Sequence, residues 1–296
     1  MTVLTDAPVT GPPAADSMMS DDRPSRSGAA KAALKRVVKA LLSAVISIVI
    51  GLAIWEGLVR FSGVTPFIAK SPGDVYHYLF TVPKAAANRA ELTTAFWETA
   101  RDATVGFLAG TVAAVLLANL FVLRRGAQQA VMPLAMALRT VPLVAMAPLI
   151  ALIFGRGLMA VTVIAGIVTF FTTLVNVTLA LRSVPSESLD LMRAYGATSF
   201  TTLRKVQFPS ALPALFASAR IAAPLALVGA LLAEWLATGQ GLGYVMLTSI
   251  PAAQYAKMWA SVMIVTVASV VLYSIISGIE TYVLARYAPG RSRQVL

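Results

Sequence analysis

The sequence predicts an all-α polytopic membrane protein with six transmembrane helices and cytoplasmic N- and C-termini. Three observations carry this. Of 296 residues, 58% are hydrophobic and only 12% charged, with a mean hydropathy of +0.78. A soluble domain runs at about 45–50% apolar and about 25% charged, so a soluble chain of this size has too little polar surface to clothe such a core. The apolar residues also gather in runs long enough to span a bilayer, since about 20 helical residues at ~1.5 Å rise cross a ~30 Å hydrocarbon core. Finally, with the N-terminus inside, the inner segments hold sixteen Lys and Arg and the outer segments seven, the asymmetry of an inserted protein. Disorder, collagen and coiled coil are excluded by the same composition.

Residues 1–37 are polar and rich in Pro, Ser and Asp, and are expected as a disordered cytoplasmic tail. Lys31, Lys35, Arg36 and Lys39 then precede Ala40–Val59, long enough to be an uncleaved first span. The outer segment 62–98 carries Pro66, Pro72 and Pro83, with a surface helix expected at Asp74–Phe80. Ala103–Leu123 is the second span. Thr140–Gly155 is the third, short and expected to bend at Pro142 and Pro148 with help from Ala130–Leu138. Gly157–Leu181 is the fourth, Leu212–Thr238 the fifth and Met258–Ile279 the sixth. The transmembrane domain thus covers 38–290, and 291–296 form a short cytoplasmic tail. No strong internal repeat is visible, which weighs against inverted-repeat folds.

The inner loop of about 183–212 is the most informative segment. It reads as helix, glycine turn, helix. Ser186 is expected as N-cap, with Glu187 and Asp190 near the positive end of the helix dipole. Leu189, Met192 and Tyr195 recur at three-residue spacing as a partly apolar face. Gly196 supplies a left-handed cap, Thr198 or Ser199 starts a second short helix carrying Leu203 and Val206, and Pro209 and Pro213 mark the entry to the fifth span. An exposed helix pair with an apolar face needs a covering partner; the plain alternative is a connecting loop with a helical turn.

This loop resembles the EAA loop of ATP-binding-cassette importer permeases: an acidic residue six before a glycine, here Asp190 and Gly196, and an aliphatic-x-aliphatic-Pro ending, here Val206-Gln207-Phe208-Pro209. Leu181-Arg182-Ser183-Val184-Pro185, Ala194-Tyr195-Gly196-Ala197, Phe208-Pro209-Ser210-Ala211-Leu212-Pro213 and Gly241-Leu242-Gly243-Tyr244 are similar to the nitrate/sulfonate/taurine branch. So are Ile54-Trp55-Glu56, Phe67-Ile68-Ala69-Lys70-Ser71-Pro72 and Arg139-Thr140-Val141-Pro142. The resemblance covers roughly 45–285. It departs at Leu191-Met192, where the family has two alanines. It implies a MetI-like permease fold in the cell (inner or plasma) membrane, working as two copies with two ATPase subunits inside and an extracytoplasmic solute-binding protein outside. It also assigns Leu189, Asp190, Met192, Arg193, Tyr195, Gly196 and Ala197 to coupling with the ATPase. A sulfonate, taurine or nitrate-type anion is the first expectation for the solute, an aromatic or pyrimidine-type solute the second.

Polar groups within the spans are the candidates for a translocation path. A mid-membrane carboxylate costs about 2.5–3.5 kcal/mol on insertion scales, so Glu234 is expected either to line the path or brace an outer gate, with Gln240, or to sit hydrated near its span end beside the interface anchor Trp235. Thr169, Thr172, Thr173 and Asn176 form a stripe that either lines the path or glues helices together. Arg220 is expected to snorkel to the inner face or to pair with a carboxylate at a subunit interface. Glu56, near its helix end, reads as hydrated.

Catalysis has little to work with. There is no Cys and a single His, His77, so thiolate and two-histidine metal sites are excluded. No phosphate-cradling Gly-x-x-x-x-Gly-Lys-Ser/Thr loop occurs, so ATP and Mg are expected on a partner chain, with no cofactor here and no enzymatic activity. Gly241-Leu242-Gly243 lacks the strand and third glycine of a dinucleotide site. The net charge of +11 is explained by the inner loops rather than by nucleic acid. The alternative from another class is a stand-alone secondary transporter or channel, for which Glu234 is the one candidate relay carboxylate.

Overall fold

The computed structural model describes residues 26–287, and all regular structure among them is helical. The expected tail segments 1–25 and 291–296 lie outside the described residues. The chain divides at Phe61 into two units, α1 and a bundle. Helix α1, Arg26–Phe61, contains the expected first span. It begins within the segment expected as disordered tail, because Ala29, Ala30, Lys31, Ala32, Ala33, Leu34 and Lys35 are all strong helix formers.

The bundle opens with α2, Pro72–Phe80, close to the surface helix expected there. Its start is closed by a capping box: the Ser71 hydroxyl accepts from the Asp74 N–H at 3.2 Å, and Asp74 Oδ2 accepts from the Ser71 N–H at 2.9 Å. Helix α3, Ala85–Leu123, starts well before the expected second span. The added turns bury Leu92, Ala95, Thr99 and Asp102, one face at helical spacing, so they form part of the packed bundle.

Helices α4, Arg125–Arg139, and α5, Leu143–Phe154, meet at 106° across Thr140–Pro142. The expected bend is therefore a sharp break before α5, where Pro142 disfavours continued helix at Val141. Pro148 is accommodated inside α5. Helix α6, Leu158–Arg182, is the fourth expected span; α7, Ser186–Ala194, and α8, Ser199–Thr202, form the inner elbow. A π-helical turn, Leu203–Gln207, leads into α9, Phe208–Ala233, and a second, Glu234–Thr238, follows it. Helices α10, Gly241–Ser249, and α11, Tyr255–Tyr287, complete the bundle. Among the described residues, four helices are long and apolar enough to cross a membrane, or five if the bent α4–α5 pair is one span.

The core lies where α3, α6 and α9 cross, and it is made of small residues. A Cβ on Gly229 would sit 2.7 Å from Ala165 Cα, and one on Gly110 would come within 2.9 Å of Gly166 Cα. Removing those side chains lets the backbones approach to contact, the usual basis of helix association in lipid, where apolar burial supplies no drive. Two apolar clusters flank this crossing. One contains Ile150, Val161, Ile164, Leu227 and Ala230; the other contains Phe121, Leu174, Leu181 and Leu203. Helices α3 and α6 run parallel and in direct contact from the α2 end of the bundle to the α7 end, and α9 returns against both.

Candidate functional site

Two assemblies stand out, one at each end of α9. At the α7 end, the elbow is held by a complete Schellman motif. The Ala197 N–H donates to the Met192 carbonyl and the Gly196 N–H to the Arg193 carbonyl, both at 2.9 Å, and Gly196 sits at φ +68. Thr198 caps α8, its hydroxyl accepting from the Thr201 N–H at 3.2 Å. Ser186 differs from expectation: Pro185 occupies the N-cap position and Ser186 is the first helical residue. Pro185 fixes the incoming φ without a side-chain bond, a role proline can fill at a helix start.

The apolar face of the elbow is also redistributed. Leu189 and Met192 are half-buried, whereas Leu191, Tyr195 and Phe200 are 57%, 82% and 62% exposed. Arg193 Nη1 and Asp190 Oδ1 pair at 2.8 Å across one exposed turn, a contact worth little in stability but one that orients both charges on the same rim. The elbow is tied back to the bundle by Leu203, buried, and by Gln207, whose Nε2 donates to the Leu181 carbonyl at 3.3 Å.

At the other end, Glu234 is 1% exposed, so it is not the hydrated end-of-span carboxylate that was one expectation. Its Oε2 accepts from the Gly243 N–H at 2.7 Å. The two neighbouring amides of the same helix start are met from α3: the Gly241 N–H donates to Glu98 Oε2 and the Leu242 N–H to Thr99 Oγ1, both at 2.9 Å. Three amides that a helix start leaves unpaired thus each find an oxygen, two of them carboxylates suited to the positive end of the dipole. The glycines are what permit this. Gly241 has φ +85, and a Cβ on Gly243 would lie 2.6 Å from the Leu231 carbonyl oxygen. Arg156 Nε adds a bond to the Ala237 carbonyl at 2.8 Å, fixing the second π turn. Gln240 is exposed at the N-cap of α10, and Trp235 is 42% exposed.

The Thr stripe divides. Thr169 and Thr173 are fully buried, and Thr169 Oγ1 donates to the Gly166 carbonyl at 3.0 Å beside Gly110. Thr172 and Asn176 are half-buried on the adjacent face. Arg220 pairs within the chain: its Nη1 lies 3.1 Å from Glu280 Oε2 on α11, and its guanidinium stacks over Tyr273 at 5.6 Å. Glu98, Thr99 and Glu280 escaped the sequence reading. Glu98 and Thr99 lie just before the apolar run of α3 and Glu280 just after that of α11, so the span boundaries set them aside.

The profile of the family described as binding-protein-dependent transport system inner membrane component matches residues 106–288. A probable ABC transporter permease protein of Haemophilus influenzae is 30% identical over 222 residues, 75% of this chain and 88% of that one. The formylaminopyrimidine transport permease protein ThiX of Halalkalibacterium halodurans is 27% identical over 82% of this chain and 93% of its own. Relatives with shorter matches include a putative aliphatic sulfonates transport permease protein of Bacillus subtilis and a nitrate import permease protein of Leptolyngbya laminosa, each 26% identical. In structure, the inward-facing MetNI methionine ABC transporter matches 66% of this chain and 96% of that one, with a TM-score of 0.59 and 22% identity.

Proposed function

The chain belongs to the family of binding-protein-dependent transport system inner membrane components, and from that membership we propose that it is the membrane-spanning subunit of an ATP-driven importer of a small solute. The observation that carries this reading is the elbow: a short helix pair locked by Gly196, joined to α6 and α9, presenting Leu191, Tyr195 and Phe200 outward beside the Asp190–Arg193 pair. Large apolar side chains left uncovered on an exposed helix pair call for another protein to cover them. In the proposed arrangement the chain crosses the membrane six times with both termini cytoplasmic, and two copies pair with two ATPase subunits gripping the elbows. Leu189, Asp190, Met192, Arg193, Tyr195, Gly196 and Ala197 form the coupling segment. A loaded solute-binding protein docks outside, closure of the ATPases around ATP and Mg moves the elbows, and α9 carries the movement across the membrane. Thr172 and Asn176 are the members of the α6 stripe with surface left to line a path; Thr169 and Thr173 serve the α3–α6 contact. Glu234 braces the outer gate through α10, with Gln240 at its edge.

A sulfonate, taurine or nitrate-type anion is one solute reading, supported by the sulfonate and nitrate permeases among the relatives. A pyrimidine-type or other heteroaromatic solute is the second, supported by the nearly full-length match to the formylaminopyrimidine permease. Co-purification tests the function. A tagged chain is expected to retain a nucleotide-binding protein, and membrane vesicles holding both, with the receptor, are expected to accumulate solute only with ATP. Concentrative uptake by this chain alone overturns the proposal. Thermal shifts of the receptor with taurine, nitrate and a formylaminopyrimidine decide between the two solutes.

A further inference from the structure

At the α7 end of the bundle, a cavity of about 500 Å³ opens between the start of α4 and the end of α6. Its lining divides by chemistry. Arg125, Arg182, Gln128 and Gln129 supply polar groups, and Met132, Pro133 and Met136 supply an apolar wall one to two turns further along α4. Two guanidiniums face the space and no carboxylate lines it. Arg182 spends one donor on the Phe121 carbonyl, at 3.2 Å, which positions the group and leaves its other N–H donors available. The Arg125 guanidinium makes no hydrogen bond or ion pair among the described residues.

We propose that this cavity binds the headgroup of an anionic phospholipid. The phosphodiester accepts from Arg125 and Arg182, and the acyl region follows the Met132–Met136 wall. Two features select a lipid over a free anion. The apolar wall is continuous with the polar mouth. Helix α4 turns from α5 by 106°, so when α5 points into the bilayer α4 lies close to the membrane surface. The site shares no side chain with the proposed coupling segment and does not depend on the identity of the transported solute.

The test uses the full-length chain, delipidated in detergent, with phosphatidylglycerol, phosphatidylcholine and inorganic phosphate as probes. Phosphatidylglycerol is expected to raise the melting temperature saturably and phosphatidylcholine to leave it unchanged. Arg125→Gln is expected to weaken the apparent affinity for phosphatidylglycerol about tenfold, the effect of losing one charge-assisted hydrogen bond. Arg139→Gln, the same charge change at the far end of α4, is expected to leave it unaltered. Met136→Trp, which fills the cavity without touching a charge, is expected to abolish the shift and serves if Arg125→Gln does not purify as a folded species. Equal shifts with both lipids, an unaltered affinity in Arg125→Gln and Met136→Trp, or equal losses in Arg125→Gln and Arg139→Gln overturn the proposal. So does a shift with inorganic phosphate as large as that with lipid, which assigns the cavity to a soluble anion.

Discussion

Replacing Gly196 isolates the conformational requirement of the elbow from its contacts. A Cβ built at this position meets nothing within 4 Å, so no steric collision accompanies a larger residue. The whole penalty comes from φ +68, where an L-residue pays about 1–2 kcal/mol and a β-branched one is the least tolerated. At 1.4 kcal/mol per tenfold, a penalty of about 2 kcal/mol depopulates the Schellman-capped elbow roughly thirtyfold relative to its uncapped alternatives. Because the turn is exposed and far from the α3–α6–α9 crossing, the strain stays local. Gly196→Val is therefore expected to reach the membrane in normal amount while ATP-driven uptake falls about tenfold or more. Gly196→Ala should be intermediate, and Gly196→Asn should retain most activity, since Asn enters the left-handed region at small cost. The assay is solute uptake per unit of inserted protein, with the ATPase rate followed in parallel. Wild-type uptake in Gly196→Val refutes the reasoning. An Asn variant as inactive as the Val variant refutes it differently, because the requirement is then for a bare Cα against a partner and not for φ.

Three further outcomes follow from the geometry. Glu234→Ala leaves the buried Gly243 N–H without its acceptor and should cost about 1–3 kcal/mol, read as a lowered melting temperature, whereas Glu234→Gln keeps an acceptor oxygen and should lose less; equal melting of both variants and the parent contradicts the clasp. Arg220→Leu strands Glu280, which is 8% exposed, and should destabilise by about 3–5 kcal/mol, with much of that recovered in Arg220→Leu/Glu280→Leu; a double variant no better than the single shows that the pair is not the cause. The Asp74 carboxyl is held below its ordinary range chiefly by the Ser71 backbone N–H, so its contribution to α2 is present above about pH 4 and lost as pH falls through the lowered value. Amide protection of α2 should be flat from pH 7 to about pH 5 and drop below, and Asp74→Asn should remove that dependence.

Local chemistry explains what the sequence reveals and what it hides. The long apolar helices are legible because bilayer thickness sets a length that composition alone can meet. Gly196 and Thr198 are legible because caps are local, decided by a residue and its neighbours within one turn. The α2 capping box is equally local, and the expected helix there falls within two residues of the observed one. Elsewhere the deciding partner is remote. Glu234 becomes a structural brace only because α10 starts against it, with Glu98 and Thr99 arriving from more than a hundred residues upstream. The pairing of Arg220 depends on Glu280, which a charge-free definition of the last span excludes by construction. The early start of α3 was hidden for a related reason: residues 85–102 are too polar to span a bilayer but are good helix formers with one buried face, and a search for membrane spans discards them.

Helix α9 connects the two assemblies, and its ends are built alike. Each is a π-helical turn, Leu203–Gln207 and Glu234–Thr238, where the regular i−4 ladder is broken and registers can shift. Between them lie 26 residues, about 39 Å of helix at 1.5 Å per residue, packed through Gly229 against Ala165 with no room for the helix to approach further. Pro213 and Pro224 lie inside α9 and each removes an i−4 hydrogen bond, so the helix is held straight by its packing around Gly229 and not by an unbroken ladder. Under the proposed function, a displacement of the elbow by its ATPase is not absorbed in the middle of α9, because close packing there resists small deformations. It arrives at the second π turn, where Glu234 grips α10 and Arg156 grips Ala237. Under the proposed function, both π turns, the glycine contact and the Glu234 clasp lie on one helix, so the coupling surface and the outer gate share a member whose middle is fixed by close packing.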